Sequence, residues 1–238
     1  MRGIIETAGT RIAYRLAGPR GAPVLVLSTS LGTTQALWDA QLPVLSGYLR
    51  VLTYDHRGHG GSGAPPGPYS IRDMARDLID LLDALDIERA SLCGLSMGGA
   101  VALEAARRRP ERVDRLVLAC TALRLGPADR WRRRAAAVRA GGTASILGEV
   151  MPRWFDEGFR ARQPERVAAT AAMLAGCDGE GYALCCEALA GHDGAPTAEA
   201  PSAPTLVLAG AGDVVVSPEA ALELATAIPG ASLSVLAG

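Results

Sequence analysis

The sequence contains no lysine; all 24 basic residues are arginine, and 25 aspartates and glutamates offset them to a formal net charge of −1. That balance excludes a general binder of nucleic acid or of anionic membranes, since both demand a surplus of positive charge. The lysine deficit accompanies abundant alanine and reflects base composition rather than chemistry. No run of 18 apolar residues is present, which excludes a membrane-spanning helix, and Met1-Arg2-Gly3 leads straight into ordinary sequence, so no secretory leader is expected. The five cysteines are odd in number with two adjacent, Cys185 and Cys186, a poor disulfide framework without metal-ligand spacing. No metal site is expected, and the expected compartment is the cytoplasm. Histidine occurs only at His56, His59 and His192.

What is present suits one sizeable domain with a buried core: 238 residues, 49% hydrophobic and 21% charged. Apolar runs alternate with helical periods, the pattern of an α/β protein with a mostly parallel sheet. Strands are expected at Ile12–Leu16, Pro23–Leu27, Leu49–Tyr54, Ala90–Cys93, Val113–Ala119, Pro204–Gly210 and Ser232–Leu236. Apolar residues at 71, 74, 78, 81, 82 and 85 repeat with a helical period behind Ser70, the expected N-cap. A second helix is expected from Pro218 to about Ala227. Between residues 122 and 200 the strand signal disappears. The expected organisation is a core in two parts, 1–121 and 201–238, interrupted by a helical insertion over 122–200.

The most informative segment is Gly94-Leu95-Ser96-Met97-Gly98-Gly99, between an apolar run and the helix-prone Ala100–Ala106. This is G-x-S-x-G in a strand-turn-helix setting, where a serine raised on a strained turn leaves no room for side chains two positions either side. A helix starting after Ser96 aims free N–H groups at the place where an oxyanion would form. The competing reading is a glycine-rich turn holding an ordinary serine.

Five segments carry a resemblance that covers essentially the whole chain. They are T-S-L-G-T-T-Q-A-L-W-D-A-Q at 29–41, Y-D-H-R-G-H-G-G-S at 54–62, C-G-L-S-M-G-G at 93–99, P-E-R-V-D-R-L-V-L at 110–118 and G-Y-A-L-C-C at 181–186. With them the chain resembles the α/β-hydrolase superfamily and, within it, the 3-oxoadipate enol-lactone hydrolases of bacterial aromatic degradation. The resemblance implies an α/β-hydrolase fold: a mostly parallel central sheet flanked by helices, with the insertion forming a helical cap over Ser96.

It also implies a site. Ser96 is the expected nucleophile and the Met97 N–H one oxyanion donor; the family match places the other at Leu31, in a loop kept compact by Ser30 and Gly32. Asp213, where a late strand ends in a tight turn, is the expected acid that orients the base; a surface turn aspartate is the alternative. In this fold the histidine follows the acid, yet all three histidines precede Asp213. His56 and His59 belong to a loop that the resemblance treats as structural, so the catalytic histidine is expected beyond Gly238, in a chain that stops short of it. Some family members continue into a fused decarboxylase domain, which the resemblance allows here.

By resemblance, Trp131 and Arg134 fall where the family contacts its substrate. A guanidinium can hold a carboxylate through two parallel hydrogen bonds, with Arg132 and Arg133 as competitors for that role. Trp154-Phe155 is expected to be cap core, and Cys185-Cys186 packing. The expected function is hydrolysis of a small carboxylated enol-lactone to 3-oxoadipate, without cofactor, nucleic acid or membrane as partner. Alternatives are another α/β-hydrolase activity, such as a carboxylesterase or cofactor-free perhydrolase, or a ligand-binding receptor that kept the hydrolase shell.

Overall fold

The computed structural model describes residues 1–194 and 200–237; residues 195–199, at the end of the expected insertion, and Gly238 lie outside the described residues. Eight strands form one sheet: β1 (Arg2–Glu6), β2 (Arg11–Ala17), β3 (Val24–Ser28), β4 (Arg50–Tyr54), β5 (Ala90–Leu95), β6 (Val113–Ala119), β7 (Thr205–Gly210) and β8 (Ser232–Leu236). Their order across the sheet is β1-β2-β4-β3-β5-β6-β7-β8. The first two strands pair antiparallel, and β3 to β8 run parallel.

Alternation along the strands sends side chains to two cores. Val26, Leu52 and Leu92 join the larger cluster on one face, whereas Leu27 and Val51, with Leu25 and Cys93 packed against them, face the other way. Helix α1 (Leu42–Leu45) lies among the residues of the smaller cluster. On the larger side, α2 (Ile71–Ala84) and α3 (Met97–Arg108) pack together. The Ser70 side chain accepts from the Asp73 N–H, as its expected cap role requires. Between β6 and β7 the described elements are helical, with α4 (Ala128–Gly141), α5 (Leu147–Trp154), α6 (Glu157–Arg162), α7 (Pro164–Ala175) and α8 (Gly179–Ala190) as its α-helices. Helix α9 (Pro218–Ala227) then packs on β7 and β8. No helix among the described residues is long and apolar enough to cross a membrane.

One strand was not expected from the sequence. β1 is a short edge strand with exposed Arg2, Ile4 and Glu6 positions, and it pairs Arg2 to Glu6 with Arg15 to Arg11. Its stability comes from that pairing rather than from an apolar run. The chain enters the parallel sheet at β3, steps to β4 on one side and then crosses to β5 on the other. The loops after β3 and β5 therefore diverge at the carboxyl edge of the sheet, the place where open α/β sheets form ligand crevices.

Candidate active site

Ser96 occupies the junction of β5 and α3 with φ +54° and ψ −114°, a conformation that L-residues avoid. Its N–H is tied to the Ala119 carbonyl at 2.8 Å, and its own carbonyl accepts from Gly99 and Ala100 at 2.9 and 3.1 Å. A Cβ at Gly94 would stand 2.2 Å from the Gly98 oxygen, and one at Gly98 would stand 2.4 Å from the Thr29 oxygen. Both contacts are with backbone, so only glycine fits, and the second presses α3 against the loop after β3. That approach brings the two expected donors to one place. The Leu31 and Met97 N–H groups are taken by no hydrogen bond among the described residues, while their side chains are 3% and 0% exposed and anchor them in the core.

The Leu31 loop is fixed from below. Thr33 donates twice to the Ser30 carbonyl, from N at 3.2 Å and from Oγ1 at 2.8 Å. The Gly32 N–H donates to His59 Nε2 at 2.8 Å, which leaves the ring proton on Nδ1, where it meets the Arg57 carbonyl at 3.0 Å. Burial lowers the His59 pKa and keeps this neutral tautomer. The loop bearing His59 is in turn pinned by the buried Arg57–Asp77 pair, bidentate at 2.7 and 2.8 Å, onto α2. It also meets α8 so closely that a Cβ on Gly58 would lie 2.8 Å from the Gly181 Cα. The G-Y-A segment at 181–183 thus has a packing reason: glycine meets glycine, and Tyr182 stands 6.4 Å from the His59 ring.

Asp213 follows β7, two strands from Ser96, at the same carboxyl edge. Its Oδ1 accepts from Val215 N–H at 2.7 Å and Val216 N–H at 3.0 Å, which leaves Oδ2 to face another group. None of the three histidines is placed to be that group. Both nitrogens of His59 are engaged, as above. His56 lies 3.1 Å from Ser28 Oγ and 3.2 Å from the Thr29 carbonyl through Nε2, and burial pushes its pKa down to about 3. His192 sits beside Arg107, near the C-terminal end of α3 and so at the opposite end of that helix from Ser96.

Ser96 opens into a narrow pocket, lined also by Ser30, Leu31, Trp131, Trp154, Val215 and three arginines, Arg130, Arg134 and Arg153. Trp131 and Arg134 are therefore brought to the pocket. The Trp131 indole N–H donates to the Leu125 carbonyl at 2.7 Å, and the guanidinium of Arg134 lies 5.3 Å from its ring centroid. Arg134 Nη2 holds Glu149 Oε1 at 2.5 Å, which keeps the Glu149 carboxyl below its ordinary range. The competitors expected beside Arg134 are elsewhere: Arg132 is exposed and pairs with Asp129, and Arg133 is exposed. Arg130 and Arg153 went unsuspected. The expectation for Trp154 is corrected: it lines the pocket rather than serving only as core. Cys185 and Cys186 are fully buried, in line with packing.

A strained serine at a strand-helix turn, paired donors and a late-strand aspartate define the class. The sequence model described as alpha/beta hydrolase fold matches residues 23–238, and the chain belongs to that family. Among curated relatives it is 42% identical over 204 residues, 86% of this chain and 76% of the relative, to 3-oxoadipate enol-lactonase 2 of Acinetobacter baylyi. Among solved structures it is similar to the enol-lactonase from Burkholderia xenovorans LB400, with a TM-score of 0.95 and 41% identity over 98% of this chain and 91% of that one. A malate-bound thermophilic esterase from Thermogutta terrifontis matches with a TM-score of 0.91 and 31% identity, over 100% of this chain and 90% of that one. Within the hydrolase fold, the chain belongs to the enol-lactonase family.

Proposed function

We propose that this protein hydrolyses a small carboxylated enol-lactone, 3-oxoadipate enol-lactone being the leading candidate, through an acyl-enzyme on Ser96. The observation that carries the reading is the elbow: Ser96 faces a pocket with three arginines, beside two N–H groups that nothing else engages. Ser96 Oγ attacks the lactone carbonyl, and its proton passes to a base oriented by Asp213. The carbonyl oxygen turns negative and is stabilised by the Leu31 and Met97 N–H groups. As the ring C–O bond breaks, the electron pair leaves on the enol oxygen, and the enol becomes a ketone on protonation. Water then attacks the acyl-enzyme by the same route and releases the dicarboxylate.

Among the described residues, His56 and His59 are held by other hydrogen bonds, and His192 lies beside Arg107 at the far end of α3, so we assign the base to none of them. Trp131 supplies a flat wall for the ring, and Arg134 one of the cations facing the substrate's carboxylate. The relatives named as enol-lactonases support the lactone, and the malate-bound esterase of similar fold supports an anionic ligand. Five free cysteines fit a reducing compartment, and we assign the reaction to the cytoplasm. The test compares kcat/KM of the full natural chain for the enol-lactone and for a neutral p-nitrophenyl ester. Preference for the lactone is expected. Turnover of neither would favour a ligand-binding shell.

A further inference from the structure

The pocket's three arginines face a single carboxylate among the described residues. Glu149 pairs with Arg134 at 2.5 Å and with Arg153 at 3.5 Å; Arg130 feels the Glu149 charge but makes no direct ion pair among the described residues. Its Nη2 donates to the Leu125 carbonyl at 3.1 Å, its guanidinium lies 5.0 Å from the Trp131 ring centroid, and its Nε, like that of Arg134, is buried without a hydrogen-bond partner. Gly126 leaves room for the group: a Cβ there would stand 2.5 Å from Arg130 Nη2. We propose that Arg130, rather than Arg134 alone, is the principal carboxylate-binding and specificity-determining residue of this pocket, with Arg153 closing the subsite and Arg134 held in place by Glu149.

Three observations agree. Arg130 lines the same pocket as Ser96, so an anion bound there places the rest of a small molecule at the nucleophile. A charge compensated only in part is costly: the Arg130 pKa is lowered by burial and then by the neighbouring Arg153 and Arg134 charges, which Glu149 offsets incompletely; a bound carboxylate relieves both. Three positive charges against one negative leave the empty pocket with a surplus of two, which suits a dianion as well as a monoanion. A ring-opened dicarboxylate therefore binds at least as well as its lactone, and release of product contends with the arginines. This inference rests on the hydrolase reading for what the ligand is, yet its test needs no turnover.

The experiment measures equilibrium binding of adipate, its monomethyl ester and its dimethyl ester by calorimetry. Wild type, Arg130→Met, Arg130→Lys, Arg134→Met and Arg132→Met are compared, with circular dichroism confirming the fold. Losing a charge-assisted bond in a partly buried site predicts about ten- to a hundredfold weaker adipate binding in Arg130→Met. Arg130→Lys recovers part of it, Arg134→Met loses less than Arg130→Met, and Arg132→Met, whose side chain lies outside the pocket, binds as wild type. The dimethyl ester should bind weakly to all five and not discriminate among them. Wild-type adipate affinity in Arg130→Met, or a larger loss in Arg134→Met, overturns the proposal. Should adipate bind as described while no lactone is turned over, the anion subsite stands and the hydrolase reading falls.

Discussion

Replacing Ser96 by glycine should make the protein more stable while removing its nucleophile. Ser96 sits at φ +54° and ψ −114°, close to the first corner of a type II′ turn, a position that glycine dominates. Holding an L-residue there costs on the order of 1–3 kcal/mol, stored strain of the kind that clusters at functional sites. Ser96→Ala keeps the Cβ and so the strain, and serves as the reference. Ser96→Gly releases the strain but gives the unfolded chain more freedom, a cost of about 0.5–1 kcal/mol. The difference leaves Ser96→Gly more stable than Ser96→Ala by about 1 kcal/mol, with about 2.5 kcal/mol as the upper bound. For a chain of this size that is a rise of about 2–4 °C in Tm per kcal/mol. Urea midpoints at constant m-value give the same quantity without heating. A glycine variant equal to or less stable than the alanine variant would mean that the turn is not strained, and the physical reason given for the exposed serine would be wrong.

Two further outcomes follow from the buried histidines. His59→Ala should lower kcat of the full natural chain by up to about a hundredfold with little change in KM, since the Leu31 N–H loses its support and a missing oxyanion donor costs about that much or more. His59→Gln, whose amide oxygen can accept from Gly32, should recover part of the loss, and an unchanged kcat in His59→Ala would refute the role. His56 is neutral in the fold down to about pH 3, whereas the unfolded chain protonates it near 6.5. Its contribution is therefore present above pH 6.5 and lost as the pH falls toward 3, at about 1.4 kcal/mol per unit. Between pH 7 and 5 the wild type should lose about 2 kcal/mol more than His56→Gln in urea titrations; parallel losses would show that the ring is not held neutral.

Much of the fold was legible because its signals are local. The elbow glycines announce a backbone contact, and parallel strands such as β3 and β7 carry apolar runs that need no partner to be recognised. β1 was hidden because its pairing with β2, not its composition, makes it a strand. At the candidate site, Ser96 and Asp213 stand at turns with short-range signatures and Met97 follows from Ser96, whereas Leu31 came from the family resemblance. Arg130 and Arg153 carry no such signature. Ten arginines crowd residues 124–166, and which of them face the nucleophile depends on how α4 and α5 lie over the carboxyl edge of the sheet. The periodicity of α4 could have helped: Arg130 is one turn before Arg134, on the same face, while Arg132 and Arg133 point away. His59 was likewise readable only as part of a motif, because its partner Gly32 is 27 residues away.

The most direct test of the central assignment is mass spectrometry of the full natural chain, acid-quenched during turnover of the enol-lactone. A lactone opens without losing a fragment, so the acyl-enzyme gains the whole mass of the substrate. After trypsin the adduct belongs on the peptide running from Ala90 to Arg107, and fragmentation should place it on Ser96 rather than on Ser91 or Cys93. Ser96→Ala should show no adduct and turn over at least about a thousandfold more slowly. An adduct on another residue, or turnover by Ser96→Ala at the wild-type rate, would contradict the assignment of Ser96 as nucleophile.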